Sequence, residues 1–311
     1  MTGRLRAGSQ VRVSVPATSA NLGPGYDCLG LALEIRDAVR ATVLSPDRAS
    51  QVDVTGEGKG TVPGDATHLV LRVLTDVLAR RGFPDTRLRL ECDNHIPHAR
   101  GLGSSASAVV AAIAAADALA AGAGAPALAP DEKLSLAVGV EGHPDNAAPA
   151  LLGGAAISWT SAGRAHAARI DVDAGLDCTI IVPPTGLSTS VARGVLPATV
   201  PHADAAHNAA RAALLVHALG NEPALLFDAT EDAIHQEYRR GVLPESLDMI
   251  DRLRAAGLAA VLSGAGPAVL VLGGRPADVR PVIDSLAQGP RPGPAPAVRH
   301  VGVANRGAVI E

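Results

Sequence analysis

The sequence predicts a mixed α+β protein built on antiparallel sheets and divided into two domains. Strands with one wetted face show as alternation: Val11–Val15 reads Val-Arg-Val-Ser-Val, and Arg87–Cys92 reads Arg-Leu-Arg-Leu-Glu-Cys. Between such strands the apolar period lengthens to that of a helix, as over Thr67–Arg81 with Leu69, Val70, Val73, Leu74, Val77 and Leu78. Length is the third observation, because 311 residues exceed the size of about 250–300 at which single cores stop growing. Small and polar residues over Ser161–Arg169 interrupt the pattern and mark the expected division, residues 1–167 from 168–311.

Taken in order, strand Val11–Val15 runs into Pro16–Asp27, a stretch of Pro, Ser, Asn and Gly that reads as a loop before apolar Leu29–Leu33. Val39–Leu44 and Gln51–Thr55 are strands joined by a turn at Ser45–Ser50. Helix Thr67–Arg81 is closed by Gly82, and strand Leu88–Cys92 follows. Ser104–Ala121 is an Ala-rich helix, Gly122–Pro130 a connector, Asp131–Val140 a short helix and Gly153–Trp159 a strand. The second half opens with strand Cys178–Pro183, followed by helices at Ala203–Leu219, Pro223–Ile234 and Leu243–Ala256. Leu258–Ser263 and Ala268–Leu272 flank a Gly-Ala-Gly-Pro turn, Asp278–Leu286 is helical, and Gln288–Val298 reads as a mobile loop.

Composition excludes several function classes. The net charge is −4 with no basic tract, so the electrostatic footprint of a nucleic-acid binder is missing. Three cysteines, Cys28, Cys92 and Cys178, stand far apart without a Cys-x-x-Cys unit and read as buried, inert thiols of a reducing cytosol. Met1–Gln10 is polar, so no signal peptide is expected. Ala106–Ala121 comes nearest to a membrane span but is broken by Ser107 and Asp117. The expectation is a cytoplasmic protein with a small-molecule partner, no nucleic acid and no membrane; a homodimer is allowed.

The most informative stretch is Ile96–Ser107, Ile-Pro-His-Ala-Arg-Gly-Leu-Gly-Ser-Ser-Ala-Ser. Gly101 and Gly103 permit tight backbone bends and close approach of a ligand. The serines open a helix whose unpaired N–H groups and positive dipole end attract anions. A Walker A loop needs a lysine after its last glycine, and the chain's lysines, Lys59 and Lys133, lie elsewhere. A dinucleotide fold needs a buried parallel strand before the glycines and an acidic residue about 20 positions on. Here the preceding strand alternates, and Ala121–Pro126 has no carboxylate.

The loop resembles instead the ATP-binding loop of the GHMP kinases, Pro-x-x-x-Gly-Leu-Gly-Ser-Ser-Ala, matched by Pro97–Ala106. Four further segments resemble the homoserine kinases of that family. Pro16–Gly30 (Pro-Ala-Thr-Ser-Ala-Asn-Leu-Gly-Pro-Gly-Tyr-Asp-Cys-Leu-Gly) is similar to their opening segment, whose polar residues, here Asn21 and Asp27, face the amino acid substrate. Glu141–Gly154 resembles their His-x-Asp-Asn-x-Ala-Pro motif. Read for zinc, His143 with Glu141 and Asp145 lacks a cysteine or second histidine nearby, and oxygen ligands suit Mg²⁺ better. Ser263–Pro267 resembles the family's glycine turn under the active site, with Ala268 where Thr or Ser is common, so its backbone is what matters. Leu187–Pro197 and His235–Arg239 are similar to segments whose arginines hold the substrate carboxylate, here Arg193 and Arg239, with Arg240 competing. His68 departs from the Asn usual before Leu-Val in this helix.

The resemblance covers about Val11 to Ala304. It implies a two-domain GHMP kinase architecture: an N-terminal domain like the second domain of ribosomal protein S5, and a ferredoxin-like C-terminal domain. It implies ATP-dependent phosphorylation of the L-homoserine hydroxyl in threonine biosynthesis, with ATP and Mg²⁺. Pro97, His98, Ala99, Arg100, Gly101, Leu102, Gly103, Ser104, Ser105, Ala106 and Ser107 would cradle the triphosphate. Ser105 and Glu141 would bind Mg²⁺, Asn21, Asp27, Asn146, Arg193 and Arg239 the amino acid. Asp145 is the candidate base; alternatively the hydroxyl proton passes directly to phosphate and Asp145 and Asn146 only orient it. Two other readings stay open at this level: another small-molecule kinase of the family, such as a mevalonate-type enzyme, and a catalytically silent sensor of ATP or an amino acid.

Overall fold

The computed structural model describes residues 3–286 and 294–311. Strands β1 (Gln10–Asn21), β2 (Gly25–Val43) and β3 (Gln51–Gly56) lead to helix α1 (Leu69–Arg80) and strand β4 (Leu88–Asn94). Helices α2 (Ser104–Gly122), α3 (Pro130–Glu141) and α4 (Ala147–Leu152) precede the hairpin β5 (Ala155–Ser161) and β6 (Arg164–Ile170). The second half holds β7 (Cys178–Val182), α5 (Thr189–Gly194), α6 (His202–Gly220), α7 (Leu226–Ala229) and α8 (Pro244–Ala255). It closes with β8 (Ala259–Leu262), β9 (Val269–Leu272), α9 (Pro276–Leu286), β10 (Ala297–Val301) and β11 (Val309–Ile310).

The first sheet runs β11-β1-β2-β4-β3, with β5 also on β2 and β6 on β5. Its pairs are antiparallel except β3 with β4, which α1 connects as a parallel crossover. The second sheet is antiparallel in the order β10-β7-β9-β8. With helices between β7 and β8 and between β9 and β10, this is the expected ferredoxin-like β-α-β-β-α-β arrangement.

Three sequence expectations are corrected. Pro16–Asp27 is mostly ladder: β1 stays paired with β2 to Asn21, and only Leu22–Pro24 form the turn. Its small residues Ala17, Thr18, Ser19 and Ala20 are buried where other segments pack on the strand, so smallness here reflects crowding. Ser161–Arg169 holds a hairpin, not a division; Ala162 and Gly163 both take positive φ (50° and 73°), the turn that suits twisted strands, and β6 runs through residues 167 and 168. Pro223–Ile234 is helical only to Ala229. The Asp232 carboxylate accepts from the N–H groups of Ile234, His235 and Gln236, replacing the carbonyls a continuing helix would offer. Of the expected loop Gln288–Val298, residues 288–293 lie outside the described residues, and Ala297 and Val298 begin β10.

Helix α2 is apolar on all sides because it is enclosed, packing on α1, α3, α4 and β1. By length and composition it could cross a bilayer, yet most of it is buried inside the molecule. A second apolar cluster joins the halves, with Ala17, Leu22, Leu31, Ile96 and Leu102 packing in one core with Ile180, Leu215, Val261 and Leu270. Burial pushes the Cys92 and Cys178 thiols up to about 12, while Cys28 is only half-buried.

The two polar residues inside α2 are both anchored. Ser107 Oγ donates to the Pro16 carbonyl at 2.7 Å. Asp117 accepts from Arg81 Nη1 at 2.9 Å, Lys133 Nζ at 2.8 Å and the Leu128 N–H at 3.0 Å, tying α1, α2 and α3. Burial alone would raise the Asp117 carboxyl, but the Lys133 and Leu128 hydrogen bonds hold it below the ordinary 3.8. Its stabilisation is therefore complete above that value and is lost as pH falls through the lower, folded one. Asp117→Ala should leave two cations without their anion and cost about 3–5 kcal/mol in urea unfolding at neutral pH. A loss under about 1 kcal/mol would make it an ordinary exposed pair.

Candidate active site

The loop before α2 is held from below. Ala99, Gly101 and Gly103 take positive φ (53°, 75° and 66°). The Leu102 carbonyl accepts from Thr18 N–H at 3.1 Å, the Arg100 carbonyl from Ala268 N–H at 3.1 Å, and the Gly101 carbonyl from Ser263 Oγ at 2.7 Å. A Cβ on Gly101 would stand 2.2 Å from the Ser263 carbonyl oxygen, and one on Gly103 1.9 Å from Thr18 Oγ1. The glycines are thus demanded by protein packing beneath the loop as well as by their positive φ. Among the described residues no side chain caps α2, so its first-turn N–H groups are left for an anion.

Above the loop lies a cavity of about 360 Å³, lined by Pro97 and Ala99–Ala106 and, opposite, by Asn21, Glu141, His143, Asp145, Asn146, Arg193 and Arg239. His98 and Ser107 line instead a second, more apolar cavity of about 270 Å³ between α1 and α2, with Ala99, Ser104 and Ser105 on both. Ser107 is buried and its hydroxyl is committed to Pro16, so it anchors the helix. His68 lines this second cavity, and its Nδ1 is buried without a partner among the described residues. Burial holds the His68 imidazole below its usual value, which keeps it neutral.

Ser105 and Glu141 meet although 36 residues apart: Ser105 Oγ donates to Glu141 Oε1 at 2.6 Å. Glu141 ends α3, and Gly142, at φ 88°, turns the chain into the next motif. There Asp145 is buried; its Oδ1 bonds His143 Nδ1 at 2.9 Å and accepts the Asn146 N–H at 3.0 Å. Among the described residues its Oδ2 has no hydrogen-bond partner. Thr18 Oγ1 donates to Asn146 Oδ1 at 2.8 Å, which orients the amide.

The two arginines differ sharply. Arg193 forks onto Asp27, with Nη2 to Oδ1 at 2.5 Å and Nη1 to Oδ2 at 3.1 Å, and reaches Tyr26 Oη at 3.1 Å. Arg239 is fully buried and makes no ion pair among the described residues. Its Nε donates to the Ala192 carbonyl at 3.1 Å and its Nη1 to His235 Nδ1. Burial keeps His235 neutral; its Nε2–H donates to the Gly23 carbonyl at 2.7 Å, leaving Nδ1 as the acceptor that Arg239 needs. Arg240 is spent on Glu237, Asp248 and Asp251 at the surface.

Asn21 lines the cavity, but its amide is committed: Nδ2 donates to the Gly264 carbonyl at 2.8 Å and Oδ1 accepts from Asp27 N–H at 3.0 Å. It positions Asp27 from the cavity wall. Sequence reasoning missed Thr18 and Tyr26 as parts of the site, and named the Ser263 turn and His143 without assigning them these contacts. The signal for Thr18 and Ser263 was a hydroxyl within a motif otherwise made of small residues.

The hydrogen bond to Asp145 holds the His143 imidazole above its ordinary 6.5, against burial, which would lower it. A raised folded value means the pair stabilises the protein fully below pH 6.5 and ceases to do so as pH rises through that higher value. His143→Gln should therefore lower Tm most under mildly acidic conditions, the gap narrowing as pH is raised. A gap that widens with pH would show that His143 is held neutral instead.

Comparison with known proteins bears on this arrangement. Residues 68–154 match the GHMP kinase N-terminal domain and residues 205–291 the GHMP kinase C-terminal domain. The chain is 45% identical over 310 residues to a homoserine kinase of Streptomyces coelicolor, covering 100% of this chain and 97% of that one. It is 49% identical over 272 residues to a homoserine kinase of Cutibacterium acnes, covering 86% and 90%. The crystal structure of homoserine kinase from Cytophaga hutchinsonii superposes with a TM-score of 0.80 at 25% identity, covering 97% of each chain. The chain belongs to the GHMP kinase family, among its homoserine kinases.

Proposed function

We propose that this protein transfers the γ-phosphoryl of ATP to the side-chain hydroxyl of L-homoserine, giving O-phospho-L-homoserine and ADP, in the cytoplasm and as a step of threonine synthesis. One observation carries the reading. A single cavity has an anion-seeking helix start with the Ser105–Glu141 pair on one wall and a buried, uncompensated guanidinium, Arg239, on another.

The main-chain amides of the loop and of the first turn of α2 bind the phosphates, and Ser104 and Ser105 add hydroxyls. Ser105 and Glu141 fit Mg²⁺, a cation that takes few protein oxygens and keeps waters and phosphate oxygens for the rest. When bound, the ion neutralises charge that builds on the transferring phosphoryl. Asp145 presents its unshared Oδ2 to the hydroxyl and takes its proton, while its Oδ1 stays fixed by His143 and Asn146. The oriented Asn146 amide holds the same hydroxyl in line. The substrate carboxylate goes to Arg239, which pairs directly with no carboxylate among the described residues, and the ammonium to Asp27. Adenine suits the apolar cavity between α1 and α2, where the unpartnered His68 Nδ1 waits for a polar atom.

The test is ADP release with Mg-ATP and L-homoserine, set against L-threonine, L-serine and mevalonate. Homoserine alone should give rapid turnover; faster turnover with mevalonate would overturn the assignment. Asp145→Asn should slow turnover by about 10²–10⁴-fold while ATP still binds. Arg239→Lys, which keeps charge but loses the planar fork, should lower kcat/KM for homoserine about 10–150-fold. Turnover of 3-aminopropan-1-ol, which lacks the carboxylate, should hardly respond. Equal losses for both substrates would remove Arg239 from the carboxylate site.

A further inference from the structure

The phosphate loop and the segment leading to Arg193 are fastened together by the Arg100 side chain and by one backbone hydrogen bond. Arg100 Nε donates to the Pro183 carbonyl at 3.0 Å, Nη2 to the Pro184 carbonyl, and Nη1 to the His98 carbonyl at 3.0 Å. The Leu187 N–H donates to the Ala99 carbonyl at 3.3 Å. Gly186 lies so close that a Cβ there would stand 2.3 Å from Arg100 Nη1. Among the described residues this guanidinium has no carboxylate partner; carbonyl oxygens of two distant segments are its acceptors. That is a fork used to join backbones, and lysine, with one compact head, would not span them.

What Arg100 joins is an exposed strap. From Ser188 to Val191 the chain is exposed, and α5 has one buried residue, Ala192. The far end is held on the substrate side of the cavity by Arg193 on Asp27 and by Arg239 Nε on the Ala192 carbonyl. Between Leu187, which packs against the apolar cluster of Ile181 and Leu243, and Ala192 the strap buries little, and such a segment opens locally at low free-energy cost. Anything that stiffens one attachment reduces the ordering that remains to be done at the other.

We propose that Arg100 is a positioning residue that couples the nucleotide side of the cavity to the amino acid side: phosphate on the loop steadies the strap, and the strap presents Arg193. The coupling is reciprocal, so the amino acid tightens nucleotide binding by the same factor. This rests on the reading of the loop as a nucleotide site.

Amide hydrogen exchange on the full chain tests it, with Mg²⁺ and the non-hydrolysable AMP-PNP as probe and no amino acid present. In the wild type, nucleotide should slow exchange both in the loop around Gly101–Ser107 and in the strap from Leu187 to Gly194, the latter by at least about fivefold, the lower end of ordinary coupling. In Arg100→Ala and Arg100→Lys the loop should remain protected and the strap should not. Strap protection that persists in both variants, or a wild-type strap that is indifferent while its loop is protected, would overturn the coupling. Loss of loop protection in both variants would make Arg100 a nucleotide ligand and also overturn the positioning role. A wild-type loop that nucleotide fails to protect would refute the nucleotide reading itself, and this inference with it.

Discussion

Everything in the cavity depends on a turn from one half of the chain being docked beneath a loop from the other. Ser263 is fully buried; its hydroxyl bonds the Gly101 carbonyl at 2.7 Å and Ser19 Oγ at 2.9 Å. One residue further, the Gly264 N–H donates to the Ala20 carbonyl, and the Gly264 carbonyl accepts from Asn21. Phosphate loop, glycine turn and opening segment thus form one hydrogen-bonded stack with no room for side chains at Gly101 or Gly103. Buried backbone groups must find partners, and here each of the three segments supplies partners for another. The shared apolar cluster around Leu22, Leu102 and Val261 keeps the stack dry.

On that rigid floor the charges are distributed unevenly. Asp27 and Arg193 satisfy each other, whereas Arg239 is buried against a neutral histidine and a carbonyl. Burying a cation without an anion is costly, and a site built that way is matched to an anionic ligand. One region of the cavity thus holds a buried guanidinium without a carboxylate partner among the described residues beside a carboxylate–guanidinium pair. Across the cavity lies the start of α2, which no side chain caps among the described residues. Asp145 stands between, one oxygen fixed and one open.

Features whose chemistry is local were legible in the sequence. Ser105 at a helix start, Glu141 at a helix end and Asp145 in the turn that follows hold local positions that the sequence pattern marks, although their meeting in one cavity is long-range. The antiparallel sheets and the helical period of α1 follow from alternation in the same way. What depends on distant packing was not legible. Ser107 looks like a loop serine until Pro16 is seen beneath it. The bonds that tie the Asn21 amide to Gly264 and Asp27 span residues that the sequence does not show to be neighbours. The hairpin at Ala162–Gly163 looked like a division because small residues mark turns and linkers alike. Helix α7 ends early because Asp232 caps the amides of Ile234, His235 and Gln236, a competition that composition does not reveal.

The dependence of the phosphate loop on the turn below it is tested most directly by the nucleotide dissociation constant of Ser263→Ala, measured beside wild type with Tm as a control for folding. Ser263 does not line the cavity. If its hydroxyl holds the loop, removing it strands the Gly101 carbonyl at a cost of about 1–3 kcal/mol, and nucleotide affinity should fall by roughly tenfold. A folded Ser263→Ala protein that binds nucleotide within about twofold of wild type, against that same scale, would contradict the account.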